Sequence, residues 1–128
     1  MARRRALFGA IHAALDAGVT LIDTADAYHR DADEVGHNEA LIAKALRTYG
    51  GDTSDVLVAT KGGHLRPGDG SWTLDGSPRH LKEACEASLR RLETDHIDLL
   101  QMHEPDPATP IDETLSALDD LVRAGKVR

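Results

Sequence analysis

Short apolar runs alternate along this chain with segments in which apolar residues recur at helical spacing. The apolar runs cover residues 19–23, 55–61 and 96–102, and polar residues end or follow each of them. Runs of this length that are apolar on both faces are typical of buried parallel strands. The pattern therefore predicts three strands in the interior of a domain.

Four segments with apolar residues three and four positions apart lie before, between and after these strands, which predicts four helices. The first helix is predicted to end before Gly18, and the second to run from Asn38 as its N-cap to Thr48. The third is predicted to begin with Ser77 as its N-cap and Pro78 as its first residue. The fourth is predicted to begin at about Asp112 and to stop at Gly125. Their predicted inward-facing residues are Leu7, Ile11, Ala14 and Leu15, then Leu41, Ile42, Ala45 and Leu46, then Leu81, Ala84, Cys85, Ser88, Leu89 and Leu92, and finally Leu115, Leu118, Leu121 and Val122.

The order helix–strand–helix–strand–helix–strand–helix determines the predicted architecture. Alternation with short loops implies right-handed crossover units and a parallel sheet, which is an α/β fold. The glycine-rich segment 62–76 is longer than the other connections, and loops of this length in compact domains are usually functional or mobile. No segment has the composition of a hinge, so we expect residues 1–128 to form a single domain.

Polar residues occupy corresponding positions at the ends of the three predicted strands. Asp23 ends the first strand with Tyr28 shortly after it, Lys61 ends the second, and His103 follows the third. The carboxyl ends of parallel strands lie on one side of a sheet, so we expect these four residues to converge. Taken alone, each has an ordinary interpretation as a turn carboxylate, a packed tyrosine, a solvated lysine or a structural histidine. Their matched positions favour a shared site.

These four residue types are suited to one kind of proton transfer. A phenol is a poor proton donor near neutral pH unless it is tuned, and a nearby ammonium stabilises the phenolate. An aspartate beside the lysine keeps it charged and oriented, and a histidine can hydrogen-bond a substrate carbonyl. The combination indicates protonation of a carbonyl oxygen while the carbonyl carbon accepts a hydride.

Composition argues against several classes of partner and site. The formal net charge of −7 argues against nucleic acid or an anionic membrane as the main partner. No apolar stretch reaches the roughly 18 to 20 residues of a membrane span. The single cysteine, Cys85, fits a reducing compartment such as the cytoplasm and is expected to be a buried thiol. Residues 3–5 and the apolar residues after them resemble the start of a signal peptide, but His12 and Asp16 interrupt that stretch and favour a helix.

At the same residues the chain resembles the aldo-keto reductase superfamily. The matching motifs are GVTLIDTADAY at 18–28, ATKGG at 59–63, SLRRL at 88–92 continuing through DHIDLLQMH at 95–103, and LVRAGKVR at 121–128. The resemblance implies a (β/α)8 TIM barrel, with NADPH (NADP+) as the usual cofactor. It also implies that the substrate is a small-molecule aldehyde or ketone, which is reduced to an alcohol.

The resemblance assigns roles to individual residues. Tyr28 would be the general acid, Lys61 and Asp23 would tune it, and His103 would orient the substrate. Asp23 would also be the cofactor-binding residue, close to the nicotinamide ribose. Trp72, within the glycine-rich segment, is a candidate for the substrate pocket, and a surface loop anchor is the alternative for it.

Length separates this chain from a complete barrel, which needs about 250 residues. With 128 residues we expect a partial barrel of about three parallel strands alternating with four helices, belonging to a longer reductase and inactive alone. The usual phosphate-binding loops of such barrels follow strands that this chain does not supply. The alternative is a catalytically incomplete half-barrel that acts as an oligomerising or interaction module and self-associates through exposed sheet edges.

Two other kinds of site fit the sequence less well. A metal centre is the first, with His29, Asp31, Asp33, His37 and His64 as candidate ligands. Their spacing matches no compact ligand motif, so we expect no metal. A Rossmann dehydrogenase is the second, and it is disfavoured because no glycine-rich dinucleotide fingerprint follows a predicted strand.

Overall fold

The computed structural model describes residues 2–28, 35–67 and 69–128. Its elements in chain order are α1 (Ala2–Asp16), β1 (Leu21–Asp23), α2 (His37–Thr48), β2 (Leu57–Gly62), β3 (His64–Leu65), β4 (Thr73–Leu74), α3 (Pro78–Leu92), β5 (Leu99–Met102) and α4 (Ile111–Arg123). The predicted alternation of four helices with three main strands is confirmed. The strands β1 and β5 are shorter than predicted, since they begin at Leu21 and Leu99.

Strands β1, β2 and β5 form one parallel sheet with β2 in the middle. The register pairs Leu21 with Leu57 between the first two strands. Beyond β5 the sheet has a further parallel position, because Val127 forms a bridge with Ile97. The Ile97 N–H donates to the carbonyl oxygen of Lys126 at 2.8 Å. The helix α4 therefore connects β5 to the next parallel position in the sheet, as a crossover unit does.

The helices bury one face of this sheet. Cys85 and Leu89 of α3, Leu121 of α4, and Ile97 belong to one buried cluster, against which Leu100 of β5 packs. Aliphatic side chains dominate this core, in keeping with an aromatic content of 3%. The core therefore lies between the sheet and the helices α3 and α4.

The other face of the sheet is open. Leu21 of β1, Leu57 of β2 and Leu99 of β5 are 54%, 51% and 49% exposed. Successive side chains of a strand point to opposite faces, so these leucines lie on the face away from the helices. We call this side, defined by these three leucines, the open face. Both faces of the sheet are apolar, as predicted. The prediction that both faces are buried is wrong for the described residues, because none of the described elements covers these three leucines.

Helix α1 packs against α2. The His12 Nε2 donates to the carbonyl oxygen of Ala45 at 2.8 Å, and Leu15 is buried as predicted. The helix ends before Gly18, whose φ of 93° lies in the left-handed region that favours glycine. The inward position predicted for Leu7 concerns a side chain outside those described. Within the described ranges, no helix combines the length and apolar character needed to cross a membrane.

The start of α2 differs from the prediction. Its N-cap is Gly36, with a φ of 76° and no side-chain cap, rather than Asn38. The Asn38 side chain instead accepts a hydrogen bond from the Thr24 hydroxyl at 2.6 Å. The Asn38 amide is therefore used to join α2 to the segment after β1, which its position in the sequence does not reveal.

The predictions for α3 are confirmed. The Ser77 hydroxyl accepts from the His80 N–H at 3.3 Å, and Pro78 is the first helical residue. The buried residues of α3 are Leu81, Cys85, Ser88 and Leu89, all on the predicted face. Cys85 is 1% exposed, and burial raises the pKa of its thiol, so it is an inert core residue.

The inward face of α4 is rotated relative to the prediction. Leu121 is buried and Leu118 packs against the core, but Leu115 and Val122 are 57% and 47% exposed. The buried stripe begins instead with the small residues Thr114 and Ala117. The Thr114 hydroxyl donates to the carbonyl oxygen of Gly76 at 2.8 Å, which turns this side of the helix toward the rest of the domain.

The glycine-rich segment 62–76 contains a β-hairpin that the sequence pattern did not predict. Strands β3 and β4 are antiparallel, with His64 opposite Leu74 and Leu65 opposite Thr73. Two-residue strands are too short to produce a recognisable alternation. The hairpin follows β2 directly, so it lies next to the carboxyl ends of the sheet strands.

Candidate active site

The candidate site lies at the carboxyl ends of β1, β2 and β5. The strand register pairs Asp23 with Ala59 and Lys61 with Gln101. Paired residues of parallel strands point to the same side, so Asp23, Lys61 and Gln101 all project from the open face. The structure thus brings together residues that are distant in the sequence, as the strand-end argument predicts.

Lys61 is at the centre of the site. Its Nζ donates to Asp23 Oδ2 at 2.7 Å, to the carbonyl oxygen of Thr24 at 3.0 Å and to Tyr28 Oη at 3.2 Å. An ammonium has three protons to donate, and three acceptors surround this one. The position of Lys61 is therefore determined by β1 and by the segment that follows it.

The electrostatics of Lys61 keep it cationic. Burial opposes its charge, but hydrogen bonds to Asp23 and Tyr28 favour it and raise its pKa above the ordinary 10.5. The Lys61 side chain is 14% exposed, whereas that of Asp23 is 52% exposed. The ammonium is therefore shielded, while the carboxylate remains accessible from the open face.

Gln101 is a site residue that sequence reasoning missed. Its Nε2 donates to Asp23 Oδ1 at 3.0 Å, so Asp23 binds Lys61 and Gln101 through separate oxygens. A signal was available, since Gln101 lies two positions before His103 and alternate strand residues share a face. The pair of contacts holds the Asp23 carboxylate in one orientation.

His103 lies beside Tyr28 and outside the Lys61 hydrogen bonds. The ring centroids of Tyr28 and His103 are 5.7 Å apart, with the planes at 85°. Burial lowers the pKa of His103 below 6.5, and the nearby charges of His64 and Lys61 lower it further. Its Nδ1 is buried without a hydrogen-bond partner among the described residues. The neutral imidazole is therefore the favoured form at this position.

Trp72 lies at the rim of the site, just before β4. Its ring is 48% exposed, and its centroid is 5.0 Å from that of His64 and 6.3 Å from that of His103. The guanidinium carbon of Arg66 lies 4.6 Å from the same ring. These contacts suit both a pocket wall and a loop anchor, so the pocket role of Trp72 stays a prediction.

The sequence and the fold of this chain have counterparts among known proteins. A protein-family model, the aldo/keto reductase family, matches residues 3–128. The chain belongs to this family. Aldo-keto reductase YhdN of Bacillus subtilis (strain 168) is 42% identical over 123 residues, covering 92% of this chain and 34% of YhdN. The 6-dehydroglucose reductase of Novosphingobium aromaticivorans is 42% identical over 119 residues, covering 92% of this chain and 38% of that reductase.

Solved structures of the family share the fold. The glycerol dehydrogenase AKR11B4 from Gluconobacter oxydans superposes with a TM-score of 0.79 at 39% identity, covering 92% of this chain and 35% of the dehydrogenase. The aldo-keto reductase AKR11C1 from Bacillus halodurans, in its holo form, gives 0.78 at 39% identity, covering 98% and 38% of the two chains. The predicted α/β fold, part of a TIM barrel, is confirmed. The chain spans about a third of the length of the relatives it matches.

The family fold explains the open face of this chain. In a (β/α)8 barrel the helices lie outside, and layers of side chains from the strands fill the interior. The leucines Leu21, Leu57 and Leu99 project from the side opposite the helices, which is the interior side of a barrel. The site residues at the strand ends lie at the carboxyl-terminal face, where barrel enzymes place their chemistry.

A hydrogen-bond network around a buried carboxylate lies next to the site. Glu39 of α2 is fully buried and accepts hydrogen bonds from the Thr60 hydroxyl at 2.7 Å and from Arg91 Nη1 at 2.9 Å. Both carboxylate oxygens are therefore satisfied, as a buried ion pair requires. Thr60 precedes Lys61 in β2, so the network joins α2, β2 and α3 next to the site. Sequence reasoning missed it, because polar residues within amphipathic helices are usually exposed.

The loop that carries Tyr28 is held near both ends. The Asp26 N–H donates to the carbonyl oxygen of Lys61 at 3.2 Å, and the Gly36 N–H donates to the carbonyl oxygen of Asp26 at 3.1 Å. Gly36 is in the left-handed region, and a Cβ there would lie 2.0 Å from the Arg91 side chain. The left-handed φ strains any residue with a side chain, and a Cβ would also force the Arg91 side chain to shift, so glycine is favoured at position 36.

The alternative metal centre gains no support from the described residues. His29, Asp31 and Asp33 lie outside them. His37 is the first residue of α2, and the His64 Nε2 donates to Glu104 Oε2 at 2.8 Å. Across the described ranges, no three His, Cys, Asp or Glu side chains are grouped so that they could hold a metal ion.

Proposed function

We propose that this chain supplies the acid–base residues of an enzyme that reduces an aldehyde or ketone to an alcohol with NADPH. The observation that carries the proposal is the 3.2 Å contact between Lys61 Nζ and Tyr28 Oη, made while the same ammonium binds Asp23. An ammonium bound to a phenol oxygen stabilises the phenolate that remains after proton transfer. Family membership supports the same class of reaction.

Each residue has a separate role in this proposal. Tyr28 Oη gives its proton to the carbonyl oxygen, and Lys61 compensates the charge that remains on the phenolate. Asp23 orients Lys61. His103, as a neutral imidazole, donates a hydrogen bond to the carbonyl oxygen and fixes its position next to Tyr28. Proximity of all four groups at the strand ends lets the proton move without rearrangement of the site.

NADPH is the proposed cofactor, and when bound it supplies the hydride that the carbonyl carbon accepts. Asp23 suits the nicotinamide ribose, because its carboxylate is half exposed on the open face and accepts hydrogen bonds from hydroxyl groups. We infer that the phosphate groups are held by residues of a longer reductase of which this chain forms part. The 128 residues alone are therefore proposed to be inactive.

The proposed substrate is a small-molecule carbonyl compound. Two relatives are named as a 6-dehydroglucose reductase and a glycerol dehydrogenase, which supports a substrate of that size. Trp72 is proposed as a wall of the substrate pocket, since its half-exposed ring lies close to His103. We also propose that residues 1–128 form a single domain and that the protein is cytoplasmic, in keeping with its single, buried cysteine.

Replacing the phenol tests the proposed function. Tyr28→Phe removes only the hydroxyl group, so we expect kcat for carbonyl reduction to fall by roughly 10²- to 10⁴-fold in the full-length enzyme. The measurement is NADPH oxidation at saturating cofactor. Tyr49→Phe is a matched control, because the chain has two tyrosines and Tyr49 bonds Asp16 on α1 instead of the site. Full activity of Tyr28→Phe would exclude Tyr28 as the general acid.

A second candidate function is an interaction module, and the open face favours it. Leu21, Leu57 and Leu99 present apolar surface that a second copy of this chain could cover. If the 128-residue chain self-associates in this way, its solution mass measured by light scattering will correspond to a dimer, and Leu57→Glu will shift it to a monomer. A monomeric parent chain would exclude self-association through the open face. Lys82→Glu on the outer side of α3 is the control, since Lys82 bonds Asp120 on the helix face of the molecule.

A further inference from the structure

His64 packs directly on His103, although the proposed reaction gives His64 no role. The two ring centroids are 4.2 Å apart and the ring planes are tilted by 44°. His64 is the first residue of β3 and is paired with Leu74 of β4, so the hairpin determines where its backbone lies. Its side chain is only 14% exposed. The contact between the two rings is therefore a shielded feature of the site.

Glu104 holds the opposite part of the His64 ring. The His64 Nε2 donates to Glu104 Oε2 at 2.8 Å, and since a carboxylate oxygen only accepts, Nε2 carries the proton. The Nδ1 of His64 is buried with no hydrogen-bond partner in the described part of the chain. Trp72 covers a further side, with its ring centroid 5.0 Å from that of His64. The His64 ring is thus fixed by one hydrogen bond and by two ring contacts.

We propose that His64, anchored by Glu104, is a positioning residue that fixes the ring of His103 beside Tyr28. An uncharged His103 held in one orientation can donate a hydrogen bond to a substrate carbonyl oxygen. The catalytic consequence rests on the proposed function. The positioning itself rests on the ring contacts and on the Glu104 hydrogen bond, which exist whatever the substrate is.

Several titratable groups face His103, and their effects have different signs. They are Asp23 from β1, Tyr28 from the loop after β1, Lys61 from β2, His64 from β3 and Glu104 from the segment after β5. Burial, His64 and Lys61 lower the pKa of His103, whereas Glu104 and Asp23 raise it. Removing the His64 imidazole takes away a group that lowers the pKa of His103 and leaves the Glu104 carboxylate without its hydrogen-bond partner. Both changes move the titration of His103 to higher pH.

A titration followed by NMR tests the positioning without an activity assay. The full-length protein is labelled with ¹⁵N in its histidine rings, and His103 is assigned by its loss in His103→Asn. His64→Phe keeps an aromatic ring at the position but removes both nitrogens. We expect the midpoint of His103 to move to higher pH in His64→Phe and to stay unchanged in the control His37→Phe, at the start of α2. An unchanged midpoint in His64→Phe would overturn the proposal.

Variants of Glu104 test the anchor, and they do not threaten folding because the Glu104 side chain is 58% exposed. Glu104→Gln keeps an oxygen that can accept from His64 Nε2, whereas Glu104→Leu removes the acceptor. We expect kcat/KM of Glu104→Gln to stay close to that of the parent. For Glu104→Leu we expect kcat/KM to fall by roughly 10- to 100-fold, because kcat falls while KM stays close to that of the parent. Equal values for the two variants would contradict the anchoring role.

The two experiments separate this inference from the proposed function. If the parent protein reduces no carbonyl compound, the proposed function fails, while the NMR titration still decides whether His64 controls His103. If the parent is active and His64→Phe leaves the His103 titration unchanged, the positioning role fails and the proposed function stands.

Discussion

At the scale of single residues, the site depends on how one ammonium shares its three protons. Lys61 contacts a carboxylate, a backbone carbonyl oxygen and a phenol oxygen, and its side chain is largely shielded. Of these partners, Asp23 and Tyr28 are predictable from the sequence, because they lie at and just after the end of a strand. Gln101, which binds Asp23, was missed, because a single amide within an apolar run has no chemical signature of its own and only its spacing from His103 pointed to the site.

Under the proposed function, replacing Lys61 should abolish most of the carbonyl reduction by the full-length protein without unfolding it. Lys61→Met keeps the aliphatic stem but removes the charge that stabilises the Tyr28 phenolate, so we expect kcat to fall by roughly 10²-fold or more. Lys61→Arg should retain more activity than Lys61→Met, since it keeps the charge in a different geometry. Steady-state kinetics and a thermal melt measure activity and folding together.

The control for this substitution is Lys82→Met, which removes a lysine of α3 that bonds Asp120 on α4. Its activity should match that of the parent. Activity near the parent level in Lys61→Met would show that the ammonium does not assist the proton transfer.

At the scale of elements, the loop after β1 carries Tyr28 and connects β1 to α2. Asp26, near its start, is 8% exposed, and its Oδ1 has no hydrogen-bond partner among the described residues. Burial raises the pKa of Asp26 from 3.8 to about 7, with a further contribution from the like charge of Glu39, while Arg91 opposes it. The loop that presents Tyr28 therefore begins at a carboxyl group that favours the protonated form.

Stability should fall with rising pH because of Asp26. A carboxyl group with a raised pKa in the folded state contributes stability that is present below about pH 4 and is lost as pH rises through about 7. At 1.36 kcal/mol per unit, the difference between 3.8 and about 7 corresponds to roughly 4 kcal/mol. Asp26→Asn removes this titration, so its free energy of unfolding should exceed that of the parent by more at pH 8 than at pH 5.

Urea denaturation at the two pH values measures this difference. Asp55→Asn is the matched control, because it makes the same change at an exposed aspartate before β2. A pH-independent effect of Asp26→Asn would mean that the Asp26 carboxyl titrates in the folded protein as it does in the unfolded one.

At the scale of the whole molecule, the described helices cover one side of the sheet and leave the apolar open face uncovered. The sequence predicted the helices, the strands and their alternation, since helical spacing and apolar runs are local patterns. The open face could not be predicted from the apolar pattern alone, because a strand whose second face is covered by the rest of a barrel has the same sequence as one whose second face is exposed. Whether Leu99 is buried depends on what covers it.

The sequence by itself determined the order of the elements, the Ser77 cap and the family, and it also indicated that Asp23, Tyr28, Lys61 and His103 belong together. These features depend on local spacing and on the rule that parallel strands end on one side. Only the tertiary structure decided that Gln101 binds Asp23, that Glu39 pairs with Arg91 behind the sheet, and that His64 packs on His103. These contacts depend on strand register and on the hairpin, which join residues far apart in the chain, and no local pattern encodes them.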